Sequence, residues 1–133
     1  MKVELCCAAL PAPLRVLAVH CWLVVHDGPT CQRWEVWQTR NAGGCSIGHV
    51  HRDLKAPYDG VGGGRARIAA AWTGEQAGAI SRVLDRARDY PHCERYLAWP
   101  GPNSNTFVAW VLREAGIVHP LGRKAFGRSY PVR

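Results

Sequence analysis

Trp99-Pro100-Gly101-Pro102-Asn103-Ser104-Asn105-Thr106-Phe107 is a Pro/Gly turn that delivers a hydroxyl to the head of an apolar-periodic segment. Phe107, Val108, Val111 and Leu112 recur at helical spacing and Gly116 stops the run. A helix is therefore expected from about Ser104 to Ala115. The first N–H groups of a helix lack intrahelical acceptors and carry the positive end of its dipole. A nucleophile held there is acidified, and an oxyanion formed there meets donors already aimed at it. Asn and Ser are also the residue types that cap helices, so Asn103 and Ser104 fit a purely structural role as well.

Upstream of that helix the chain alternates strands and turns. Val16 to Val25 is rich in β-branched residues and has strand length. His26-Asp27-Gly28-Pro29 is turn chemistry, and Arg33 to Thr39 alternates polar and apolar residues as a returning strand does. Ser46 to Leu54 fits a third strand and Arg67 to Trp72 a short fourth, with the glycine-rich loop Tyr58 to Gly64 between them. Thr73 with Gln76 predicts a capping box opening a second helix, whose stripe is Ala77, Ile80, Val83, Leu84 and Ala87. That helix ends before Tyr90-Pro91, and the tail from Pro120 is irregular. No repeat or linker interrupts residues 1–133. The pattern predicts one α+β domain, a small antiparallel sheet with helices packed on one face.

Bulk properties narrow the classes. In 133 residues, 47% are hydrophobic and 20% charged, which fits a globular domain. The net charge of +7 permits anionic partners. However, Arg82, Arg86 and Arg88 lie on one helix and Arg123, Lys124 and Arg128 in the tail, with no nucleic-acid-binding signature. The six cysteines form no C-x-x-C pair, so a zinc ribbon or thioredoxin-like motif is not expected. Cys21, among bulky apolar residues, reads as a small core residue. The N-terminus carries Glu4 and is broken by Pro11 and Pro13, a poor signal peptide. Leu14 to Val25 is too short and too polar to span a membrane. A cytoplasmic location is expected, with no transmembrane segment.

His20 is a titratable residue inside an apolar strand. Imidazole, with an unperturbed pKa of ~6.5, takes and returns a proton near neutrality. A hydroxyl nucleophile needs such a base, and the base needs a third polar group to orient it. If Val25 pairs with roughly Arg33 or Trp34, the return strand runs beside His20. Period two then places Glu35 with Trp37 on one face and Gln38 on the other. Glu35 is the preferred orienter because a carboxylate stabilises an imidazolium. Gln38, or His51 from the third strand, are the alternatives.

His20-Cys21-Trp22, followed by a polar residue on a hairpin partner and then Asn103-Ser104-Asn105-Thr106-Phe107-Val108 at a helix head, resembles the circularly permuted NlpC-type papain-like superfamily. Its relatives include the lecithin–retinol acyltransferase group and PPPDE-type peptidases. The resemblance implies a permuted papain-like fold in which His20 matches the base, Ser104 the nucleophile, and Glu35 or Gln38 the third polar residue. More of the chain resembles a bacterial domain-of-unknown-function family. Its pattern includes His20–Trp22, Trp34–Gln38, Gly48–Arg52 and Trp99–Phe107 as they stand here.

One departure matters: the superfamily's nucleophile is a cysteine, and this chain has Ser104. A serine hydroxyl needs far more help from its base than a thiol does. Two functions therefore stand side by side. The first is a serine-dependent hydrolase or acyltransferase acting on an amide or ester, with Ser104, His20 and Glu35 catalytic. Trp22, Trp37, Gln38, Asn103, Asn105 and His51 would bind the small-molecule or peptide substrate, and Trp99 would help wall the cleft. The second is a catalytically inactive module that binds a peptide, lipid or anionic polymer. No cofactor is implied. His49 and His51 share a strand face, but no third ligand is identified, so no metal is expected. The Gly60–Gly64 loop lacks a phosphate-loop pattern and is a candidate lid.

Overall fold

The N-terminal run Lys2–Ala9, which carries no clear periodicity, forms the first strand, β1. In the computed structural model, which describes all 133 residues, it is joined by β2 (Val19–Asp27), β3 (Thr30–Val36), β4 (Ser46–Ile47), β5 (Val50–Arg52) and β6 (Arg67–Thr73). The six strands make one antiparallel sheet in the order β4-β5-β3-β2-β1-β6. Two helices follow, α1 (Gly74–Asp85) and α2 (Ser104–Glu114). The architecture is α+β. No helix is long and apolar enough to cross a membrane.

The expected strand from Val16 begins later. Leu14–Val16 is a single 3-10 turn, and the ladder starts at Val19. The hairpin is tighter than expected: Val25 faces Gln32, and Asp27 faces Thr30 across Gly28-Pro29. Gly28 sits at φ +58°, the left-handed backbone that a two-residue hairpin turn demands. The expected third strand is broken into β4 and β5 at Gly48, also at φ +58°. A Cβ there would lie 2.2 Å from the Cys93 carbonyl oxygen. The Thr73–Gln76 capping box does not form, because the Thr73 side chain makes no cap hydrogen bond. Thr73 instead ends β6, opposite Lys2.

Period two sorts the sheet into two faces. Leu5, Cys21, Leu23, Val25 and Val36 look toward the helices and share the main core with the apolar stripes of α1 and α2. Both helices thus lie on one face, as the patterning predicts. Cys6, Ala8, Trp22 and Val24 look the other way and form a smaller cluster with Val61 and Ala66. The loop after β5 covers this second face. Trp22 Nε1 donates to the Pro57 carbonyl at 2.8 Å, and Tyr58 Oη donates to Glu4 Oε1 at 2.5 Å. The glycine-rich segment therefore belongs to a pinned cover.

Candidate functional site

The site is built where β2 and β3 part. Their ladder ends at Leu23–Trp34. Two pairs further along, Cys21 would face Val36, but the head of α2 is wedged between them. Ser104 Oγ accepts from the Val36 N–H at 3.1 Å and donates to the Cys21 carbonyl at 2.7 Å. Asn105 Oδ1 accepts from the Cys21 N–H at 2.9 Å, and its Nδ2 donates to the Val19 and Phe126 carbonyls. Two side chains of a helix thus take up the backbone groups that a sheet partner would otherwise satisfy.

Asn103 is the N-cap. Its Oδ1 accepts from the N–H groups of Asn105 and Thr106, and Thr106 Oγ1 accepts from the Asn103 N–H in return. Its Nδ2 donates to the carbonyls of Ala98 and Phe126. The expected polar residues at the helix head are therefore all engaged. Among the first N–H groups of α2 only that of Ser104 lacks an acceptor, one free donor where an oxyanion site commonly has two.

His20 and Glu35 meet on the face away from α2. His20 Nε2 lies 2.8 Å from Glu35 Oε1. Glu35 is in turn gripped by Arg33, with Nη2 2.8 Å from Oε1 and Nε 2.7 Å from Oε2. Arg33 shares this face because it lies two residues before Glu35 on β3. Arg33 and Glu35 are both fully buried. The guanidinium stacks 4.0 Å from the centre of the Trp22 ring and donates from Nη1 to the carbonyls of Ala56 and Asp59. The Trp37 ring lies 5.2 Å from that of His20.

Burial pushes the Glu35 carboxyl upward, but the hydrogen bonds and charges of His20 and Arg33 outweigh it and hold the group below its ordinary range. Glu4 is also lowered: burial raises it, and hydrogen bonds from Tyr58 and His26 outweigh the rise. A depressed carboxylate stabilises the fold above its unfolded pKa, ~4.3, and loses that contribution as pH falls through the lower folded value. Burial also holds the His51 imidazole below its ordinary value, so the unfolded chain takes up that proton first, and urea midpoints are expected to decline modestly below ~6.5 and more steeply below about 4.5. A midpoint unchanged down to pH 3 would contradict this.

Of the three candidate orienters, Glu35 is the one at His20. Gln38 is exposed and makes no side-chain hydrogen bond. His51 is buried and spent elsewhere: Nε2 donates to the Thr39 carbonyl at 2.8 Å and Nδ1 accepts from Ser46 Oγ at 2.6 Å. His49 Nδ1 donates to the Trp37 carbonyl at 2.8 Å. No group of three or more His, Cys, Asp or Glu is placed to hold a metal ion. Trp22 does not wall a cleft, since it is fully buried beneath the cover.

A cleft of about 240 Å³ opens at the parting of the strands, with Leu14, Leu17, Val19, Tyr96, Trp99 and Phe126 among its walls. His20, Asn103, Ser104 and Asn105 also border it. His20 and Ser104 therefore reach one cleft from opposite faces of the sheet, and no hydrogen bond joins them.

A family model covers residues 1–130, described as Protein of unknown function (DUF3750). The chain belongs to the DUF3750 family. The whole-chain resemblance to a domain-of-unknown-function family is thus correct at that level. Comparison with curated proteins and with solved structures found no match. Sequence reasoning about this DUF3750 member missed Arg33. The signal was present in its i,i+2 spacing to Glu35, since a buried carboxylate on a strand face needs a cation nearby.

Proposed function

We propose that this chain is a binding module whose cleft takes the apolar tail of a lipid-like molecule, with Ser104 serving as a pin in the sheet. One observation carries the reading. The Ser104 hydroxyl is 3% exposed, donates to one backbone carbonyl and accepts from one backbone N–H, so its proton is committed away from any base. The cleft's chemistry supports the ligand class. No Lys, Arg, Asp or Glu borders it, which speaks against an anionic polymer despite the net charge of +7. Its rim exposes large apolar groups, with Trp99 74% and Leu17 57% accessible. Clustered apolar exposure of this kind marks interaction sites. The volume is below the ~300–1,000 Å³ of drug-sized pockets, so the cleft receives the end of a chain while the rest lies along the rim.

Titration with an environment-sensitive fluorescent fatty-acid probe tests the reading. Saturable binding is expected. Trp99→Ala should weaken it about tenfold, ~1.4 kcal/mol, and Leu17→Asp should abolish it. Absence of saturable binding, or indifference to both substitutions, would overturn it.

The hydrolase or acyltransferase reading on a permuted papain-like scaffold draws on a separate observation, the His20–Glu35 pair at 2.8 Å, a base with its orienter in place. It requires Ser104 to exchange the Cys21 carbonyl for His20. A fluorophosphonate probe labels such a serine. Labelling lost in Ser104→Ala would favour this reading over the pin.

A further inference from the structure

The main core holds three thiols that do not border the cleft, Cys7, Cys21 and Cys93, and two of them face each other. Cys7 on β1 and Cys21 on β2 are direct partners in the antiparallel register. The N–H and C=O of Cys21 both point toward β3, where Asn105 and Ser104 take them. A strand residue aims both groups to one side, so Cys21 offers neither to β1. The pair is therefore of the non-hydrogen-bonded kind, in which Cα atoms approach to ~4.5 Å and the side chains lie closest. That separation falls within the ~4.4–6.8 Å a disulfide spans, at the short end where the bond is strained and readily reduced.

The two thiols face each other across the ladder, and the environment divides their roles. The neighbouring Cys21 thiol lowers the Cys7 thiol against the opposing effect of burial, and Arg67 adds a favourable charge. Arg67 is Cys7's cross-strand partner on β6. Its neighbour Cys7 and burial push the Cys21 thiol up. The remaining buried thiols, Cys6 and Cys93, are raised by burial and neither stands opposite a cysteine in the sheet register.

We propose that Cys7 and Cys21 are a redox-active dithiol that closes to a cross-strand disulfide when hydrogen peroxide is the oxidant. The Cys7 thiolate attacks one peroxide oxygen, the O–O bond breaks, and the departing hydroxide is protonated to water. The Cys21 sulfur then displaces hydroxide from the resulting sulfenic acid, its thiol proton completing the second water. Two sulfurs lose one electron each, and the peroxide gains both. Peroxide is small enough to reach groups that are 4% and 1% exposed, and a small dithiol reverses the bond.

The test uses the full chain with the exposed Cys31 and Cys45 replaced by serine. Folded protein is treated with hydrogen peroxide and digested without reductant, and fragment ions distinguish Cys6 from Cys7. The expected product is a Cys7–Cys21 linked peptide two hydrogens lighter than its parts, lost on dithiothreitol treatment and absent from Cys7→Ala. In Cys21→Ala, dimedone should trap a sulfenic acid at Cys7, which keeps the test decisive if Cys7→Ala does not fold. Free Cys7 and Cys21 thiols after treatment that consumes free cysteine under the same conditions would overturn the proposal. So would linkage through Cys6 or Cys93 instead.

Discussion

Arg33→Met is expected to destabilise the fold by about 3–5 kcal/mol, the usual consequence of leaving one partner of a buried ion pair uncompensated. Glu35 has no exposure, and His20 alone would then face its charge. The carbonyls of Ala56 and Asp59 would also lose their donor, so the cover over the second face would loosen along with the pair. Domains of this kind hold ~5–15 kcal/mol in total, so the loss amounts to a large fraction of the whole. Replacing both partners by apolar residues of similar size is often neutral, so Arg33→Met with Glu35→Met should recover part of the deficit. Urea unfolding followed by circular dichroism measures both. A single variant within about 1 kcal/mol of the parent would mean that the pair is solvated in solution. By contrast, cutting the exposed Arg86–Asp89 pair should change little, because surface pairs contribute ~0–1 kcal/mol.

What the sequence disclosed follows from which forces leave a local trace. The apolar stripe of α2 and its Asn103 cap are local, and both are where the spacing predicts them. The meeting of His20 with Glu35 is not local. Yet period two on two strands joined by a tight turn leaves few candidates, and the carboxylate is the one at the ring. β1 stayed hidden because a strand buried on both faces shows no alternation. Only the continuous apolar run marked it, and an apolar N-terminal run also raises the question of a leader. The Thr73–Gln76 pattern misled because Thr73 answers to a strand partner rather than to its own helix. The partners of Ser104 were illegible for a different reason. They are a backbone N–H and a backbone C=O, which every residue carries and no sequence pattern announces.

Ser104→Ala therefore has an expected outcome that separates a pin from a nucleophile. Removing the hydroxyl leaves the Val36 N–H and the Cys21 C=O, which it now satisfies, without their partner, each a buried group costing ~1–3 kcal/mol when unsatisfied. A net loss of about 2–4 kcal/mol is expected, a fall in Tm of roughly 8–16 °C for a chain of this size. Ser104→Cys should lie between Ala and the parent, since a thiol is a weaker donor and acceptor than a hydroxyl. A catalytic serine makes the opposite forecast, because functional sites are held at some cost in stability and their removal leaves the fold unchanged or firmer. The two readings thus differ in the sign of a single melting shift, before any substrate is known. A Ser104→Ala protein as stable as its parent would dismiss the pin, and with it the argument that the cleft only binds.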